Sequence, residues 1–95
     1  MHVISRKALR EFSARFPDSE GALSHWYRIM TTTDFDNFAA LRIALPTADK
    51  VGDLIVFNVG GNKYRLIVSI HFNRKKVYVR NVLTHREYDK GAWKQ

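Results

Sequence analysis

Apolar positions change their spacing once along this chain of 95 residues. In the first half they recur at helical intervals. Leu9, Phe12 and Phe16 fall at i, i+3 and i+7, which predicts a helix from a Ser5 cap to about Phe16, ended by Pro17. His2 to Ile4 ahead of it reads as a short strand. Asp18 or Ser19 can start a second helix whose apolar face is Ala22, Leu23, Trp26, Tyr27 and Met30, ending over Thr31–Thr33. A third, shorter helix is predicted from Asp36 to about Ala44, with Pro46 beyond its end. From Asp53 the period is that of strands. Leu54–Val59, Lys63–Phe72 and Val77–Leu83 are separated by Gly60-Gly61, a two-residue hairpin turn, and by Asn73–Lys76. The predicted order is β-α-α-(α)-β-β-β, a single α+β domain over residues 1–95.

Cross-strand partners share a face, so loop parity sorts the side chains. The Gly60-Gly61 turn sets Phe57 opposite Tyr64, and an even loop at Asn73–Lys76 sets Arg65 opposite Thr84. One face then collects Ile55, Phe57, Tyr64, Leu66, Val68, Ile70, Phe72, Val77, Val79 and Leu83, a core for the two long helices. The other collects Asn58, Lys63, Arg65, Ser69, His71, Tyr78, Arg80 and Thr84, with Val56, Ile67 and Val82 between them. The sheet is expected to bury the first face and offer the second.

Charge gives that open face a partner. Residues 62–95 carry nine Lys or Arg against Glu87 and Asp89, which accounts for the whole net charge of +7. Residues 1–61 balance seven basic against seven acidic. A cationic sheet face is an electrostatic footprint for a polyanion, most often nucleic acid. The chain has no cysteine, hence no disulfide framework and no thiolate metal site. Its N-terminus lacks the apolar stretch of a signal peptide and no run approaches the roughly 18 apolar residues of a membrane span, so a soluble cytoplasmic protein is expected.

Several side chains on or beside this face have chemistry to offer. Arg65 and Arg80 could grip a phosphate as paired guanidinium forks, or be surface arginines paired with nearby acids. His71 and Tyr78 could stack on a base, or be an ordinary exposed aromatic pair. His85 and Tyr88 lie three apart with Lys90 following. Histidine suits proton transfer near neutral pH, and Tyr or Lys can orient or stabilise developing negative charge. The plainer reading is a strand end with a packing Tyr, and by parity His85 falls on the core face unless the chain turns there. His2, His25, His71 and His85 show no metal-ligand spacing, and Asp34 and Asp36 read as helix caps. Trp93 reads as a cover for the sheet edge.

The stretch Phe57-Asn-Val-Gly-Gly-Asn-Lys-Tyr-Arg65, then Val79-Arg80, then Thr84-His-Arg-Glu-Tyr-Asp89, together with the opening His2-Val-Ile-Ser-Arg-Lys-Ala-Leu9, resembles the HigB toxins of the RelE-like toxin–antitoxin superfamily. The resemblance covers essentially the whole chain. It implies a small antiparallel sheet with helices on one face, and an mRNA endonuclease working on the translating ribosome. It also implies a HigA-like helix-turn-helix antitoxin that binds operator DNA, so that DNA is met only through the antitoxin, and no membrane. Carried onto this chain, Arg65, His85, Tyr88 and Lys90 are the expected catalytic set, with no metal and no cofactor. Asn58, Lys63, His71, Arg74, Lys75, Arg80 and Arg86 are the expected RNA contacts. His85 is expected as acid or base in attack of a ribose 2′-OH on the adjacent phosphorus. Three alternatives compete: a non-catalytic RNA-binding module, for which the basic face suffices, a poison of a protein target such as gyrase, as in ParE-like relatives, and a degenerate toxin that only binds its antitoxin.

Overall fold

The computed structural model describes residues 1–94. Its strands are β1 (His2–Ile4), β2 (Asp49–Val51), β3 (Leu54–Val59), β4 (Tyr64–His71) and β5 (Lys76–Thr84). Its helices are α1 (Arg6–Arg15), α2 (Glu20–Thr32), α3 (Phe38–Ala44) and α4 (His85–Asp89). The five strands form one sheet in the order β1-β5-β4-β3-β2. β1 runs parallel to β5 and every other pairing is antiparallel. The α+β class and the expected order stand, with β2 and α4 added. Among the described residues no helix is long and apolar enough to cross a membrane.

Most predicted bounds hold, but several caps differ. Ser5 precedes α1 in a left-handed conformation (φ 78°) and its side chain makes no cap bond. Pro17–Ser19 form a 3-10 turn before α2, and Ser19 Oγ turns back to donate to Phe16 O at 2.7 Å. The cap of α3 is Asn37, whose Oδ1 accepts from Ala40 N at 2.8 Å. Asp36 and Asp34 are therefore not caps. Asp36 pairs with Lys75 at 2.8 Å and Asp34 with the Met1 amino group at 3.0 Å.

Helices α1 and α2 bury Leu9, Phe12, Leu23, Trp26 and Met30 against Ile55, Phe57, Leu66, Val68, Val77 and Val79 of the sheet. Trp26 meets Phe57 edge-on at 5.6 Å, and Phe12 meets Tyr64 at 5.2 Å. Burying one such side chain is worth roughly 1.5–3 kcal/mol, so this layer holds the fold.

Two details of register decide what reaches the site. Val59 pairs with Tyr64, not with Asn62, so the β3–β4 connection is the four residues 60–63. Gly60 and Gly61 both take left-handed φ there (63° and 70°), as a Cβ-bearing residue rarely does. The slip from the expected register is two residues, so every side chain keeps its face. Between β4 and β5 the register breaks by one residue. Ile67 faces Asn81 and Val68 faces Val79, which leaves Arg80 as a β-bulge with no partner. Beyond the bulge the faces exchange. Leu83, expected in the core, lies opposite Arg65 and belongs to a second cluster, while Val82, expected on the open face, packs against the main core.

That second cluster corrects the picture of an open sheet. Val56 and Ile67 are covered by Trp93, with Val51, Leu54, Leu83 and Tyr88 around them. Trp93 therefore lies over the face of the sheet, not its edge. The fold is helices, sheet and a C-terminal cap, rather than helices on one face only.

Candidate active site

The first residues of β4 and the last of β5 meet at one end of the sheet, and there the chain turns. Thr84-His-Arg-Glu87 is a capping box. Thr84 Oγ1 accepts from Glu87 N at 3.2 Å, and Glu87 Oε1 accepts from Thr84 N at 3.1 Å. The strand thus ends at Thr84 and α4 begins at His85. His85 N still donates to Lys63 O at 2.8 Å, so the helix starts anchored to the β3–β4 turn. The core position that parity assigned to His85 is avoided because of this turn. Its side chain is 44% exposed.

Arg65 is not on an open face. It is 7% exposed, roofed by α4. Its Nη2 donates to Asn62 Oδ1 at 2.7 Å and reaches His85 Nδ1 at 2.9 Å, while Nη1 donates to Asn62 O at 3.2 Å and Tyr64 O at 3.1 Å. The four Nη hydrogens are thereby engaged, and no fork remains for a phosphate. The guanidinium lies 5.3 Å from the Tyr88 ring centroid, and Tyr88 stacks on Trp93 at 4.9 Å with ring planes 15° apart. Trp93 Nε1 donates to Tyr88 O at 2.9 Å. On the solvent side, His85 Nε2 lies 3.0 Å from Asp89 Oδ2, one helical turn on. The site is a line of contacts, Arg65–His85–Asp89, backed by a Tyr88–Trp93 stack.

Asn58, opposite Arg65 on β3, is exposed beside this line, as are Arg86 and Lys90 on and after α4. The side chains of the remaining predicted residues lead elsewhere. Lys63 sits in the turn and pairs with Asp18 at 3.1 Å, and Tyr64 Oη donates to the same carboxylate at 2.5 Å. The Tyr64 bond, and then Lys63, hold the Asp18 carboxyl below its usual range, while Asp18 pushes the Tyr64 hydroxyl upward. Lys75 holds Asp36 low in the same way and also donates to Phe35 O at 3.0 Å. The acids that no face was expected to supply come from the helical layer. Arg80, placed by parity on the same face as Arg65, instead lines a groove along α1 with Glu11, Arg15 and Asn81. His71 and Tyr78 meet edge-on at 5.3 Å, and Arg74 is exposed in the adjacent Phe72–Arg74 turn. That end of β4 is about 20 Å from Arg65, at roughly 3.3 Å per residue.

Asn62, Asp89 and Trp93 were not expected in the site. The Thr84-x-x-Glu87 spacing was the available signal. It predicts a helix from His85, and a helix sets Asp89 at i+4 from His85. Among the described residues no three His, Asp or Glu side chains gather as a metal site. A groove of about 500 Å³ lies between α1 and α2, lined by Arg6, Arg10, Tyr27 and Arg28 among others, and none of the clustered residues line it.

Residues 19–91 match a family described as the HigB toxin, the RelE-like toxic component of a toxin–antitoxin system. The chain belongs to this HigB toxin family. The match spans the whole Arg65–His85–Asp89 line. The chain is 36% identical over 93 residues to the mRNA interferase HigB of Escherichia coli O6:H1, covering 95% of this chain and 90% of that one. It is 34% identical over 92 residues to the mRNA interferase toxin HigB of Escherichia coli K12, with 94% and 88% covered. The mRNA interferase HigB of Shigella flexneri gives the same figures, 34% over 92 residues. As the toxic component of such a system, the HigB-family chain has an antitoxin as its counterpart.

Proposed function

We propose that this toxin is an endoribonuclease that cuts mRNA on the translating ribosome, in the cytoplasm, and is held inactive by a HigA-like helix-turn-helix antitoxin. Operator DNA enters only through that antitoxin. The observation that carries the reading is the cluster itself. Within the family-matched region, Arg65 touches His85 at 2.9 Å beside an exposed Arg86, Lys90 and Asn58. The relatives named mRNA interferases align over almost the whole chain.

The reaction is a transesterification within the RNA. The ribose 2′-oxygen attacks the adjacent phosphorus in line, losing its proton. The bond to the 5′-oxygen breaks, and that oxygen takes up a proton. The products are a 2′,3′-cyclic phosphate, which water opens to a 3′-phosphate, and a 5′-hydroxyl. Negative charge gathers on the phosphoryl oxygens during attack, and donors fixed at that position stabilise it more than the ground state. His85 faces solvent at the centre of the cluster, and Tyr88 and Lys90 stand beside it for positioning the ribose and for the proton steps. Arg86 and Lys90 attract the backbone.

Expression of the toxin alone should produce mRNA fragments with 5′-hydroxyl ends, and His85→Ala, a half-exposed position, should abolish both fragments and growth arrest without loss of fold. A 2′-deoxy nucleotide at the cut position should block cleavage. Growth arrest with intact message would refute the reading and favour RNA binding without cleavage.

A further inference from the structure

Both ring nitrogens of His85 are already engaged by this chain. Nδ1 lies 2.9 Å from Arg65 Nη2, and Nε2 lies 3.0 Å from Asp89 Oδ2. A guanidinium offers donors and no acceptor. The Nδ1 facing it must therefore present a lone pair, and the neutral imidazole carries its one proton on Nε2, where Asp89 accepts it. A proton added at Nδ1 would set N–H against N–H. Arg65 has little freedom to turn aside, since it is 7% exposed and Asn62 and the Tyr64 carbonyl hold both Nη groups. The Tyr88 ring lies against the guanidinium as well.

We infer that Arg65 locks His85 as the neutral Nε2–H tautomer, and that His85 serves RNA cleavage as a fixed hydrogen-bond donor to a phosphoryl oxygen rather than by transferring a proton. This rests on the RNA-cleaving function proposed above. Arg65 is then a positioning residue, acting on RNA through His85, and this replaces the phosphate grip expected of it. Asp89 holds the phosphate's place in the free toxin. Its carboxylate is 61% exposed and is an anion accepting from Nε2, as a phosphoryl oxygen would. RNA exchanges one anionic acceptor for another at an unmoved donor. With Nε2 protonated and Nδ1 occupied, the ring can neither accept the 2′-OH proton nor give one up without becoming an imidazolate. The proton steps fall to groups other than His85.

Two measurements test this. In isotope-labelled full-length toxin, two-bond proton–nitrogen correlations of His85 at neutral pH should show an unprotonated Nδ1 and a protonated Nε2. Arg65→Met should lose that fixed pattern while the main-core amide signals persist. A doubly protonated ring, or an Nδ1–H tautomer, in the unaltered toxin would overturn the lock. In RNA cleavage, His85→Gln supplies a neutral N–H donor with no capacity for proton transfer. It should stay within about tenfold of the parent, whereas His85→Ala should lose about 10²–10³-fold, the loss typical of one transition-state donor. Equal losses in the two variants would overturn the donor role. If the unaltered toxin cuts no RNA, the nuclease reading fails, and with it the donor role, while the tautomer pattern still decides the lock.

Discussion

Trp93→Ala tests whether the C-terminal cap holds the site in place. Trp93 is 8% exposed, covers Val56 and Ile67, stacks on Tyr88 and donates to the Tyr88 carbonyl. Truncating a buried Trp or Phe to Ala costs about 3–5 kcal/mol. The stack with Tyr88 accounts for roughly 0.5–1.5 of this and the indole hydrogen bond for about 1, the rest being burial. Because the cluster is a small patch at the end of the chain, it can relax more than the helix–sheet core, so the lower end, about 3 kcal/mol, is expected. At an m-value of about 1–1.5 kcal/mol/M in urea, that lowers the unfolding midpoint by about 2–3 M. Hydrogen exchange gives the local readout. The His85 amide, bonded to Lys63 O, should exchange much faster, while the central β4 amides respond only to the global change. RNA cleavage should fall as well, because Tyr88 loses its support against Arg65. A midpoint within about 0.3 M of the parent with an unchanged slope would show that Trp93 does not cover the sheet in solution, and the account of a built site would fail.

Thr84→Ala removes the hydroxyl of the capping box and should cost about 1 kcal/mol, within the range of about 0.5–2 for such caps. If the loss is confined to α4, the ordered form of the site falls about fivefold relative to the undocked form, read as faster exchange at the Glu87 amide with little change in the urea midpoint. The Asp18–Tyr64 pair predicts a pH dependence of stability. The Asp18 carboxyl is depressed by the Tyr64 hydrogen bond and by Lys63, so its contribution is present above the ordinary carboxyl range and is lost as pH falls through its folded value. The Tyr64 hydroxyl is raised by Asp18, so its contribution is present below the ordinary tyrosine range and is lost as pH rises through its folded value. Denaturant midpoints across pH should therefore fall less steeply at both extremes in Tyr64→Phe than in the parent. Curves that run parallel for the two proteins would refute the pairing.

The helix–sheet layer was legible because it follows from periodicity alone. Leu9, Phe12, Leu23, Trp26 and Met30 carry the helical stripes, and Phe57, Leu66 and Val68 alternate along the strands. Even the wrong turn length at Gly60-Gly61 did no harm, since a slip of two residues preserves the faces. The bulge at Arg80 was not legible. Nothing in the local sequence marks it, and a single extra residue moved Leu83 and Val82 across the sheet and took Arg80 away from Arg65. Strand β2 escaped because Asp49-Lys-Val51 is short and polar, an edge strand held by its pairing with β3. The site was half legible. Arg65, His85 and Tyr88 were named by chemistry and resemblance, but their arrangement depends on α4, whose Thr84-x-x-Glu87 signal is local and was readable. The burial of Arg65 was not, because it requires knowing that Trp93 and Tyr88 fold back over the strand.

The charge of residues 62–95 divides along the same lines. Lys63 and Lys75 are matched by Asp18 and Asp36, acids from the segments flanking α2 that sit across from the sheet. Such exposed pairs contribute little to stability, yet they remove two cations from the surface field. Arg65 is withdrawn from that field by burial, and its charge is felt through the polarity of His85. Arg86 and Lys90, with Asn58, remain exposed at the site, while Arg74 and Arg80 are exposed away from it. A uniform cationic face would draw RNA without placing it. On the function proposed above, the few exposed cations around His85, beside the patch that Trp93 covers at Val56 and Ile67, would favour the RNA backbone at the end where α4 begins. The C-terminal cap over Val56 and Ile67 thus leaves the basic side chains of residues 62–95 in separate patches rather than on one open cationic face.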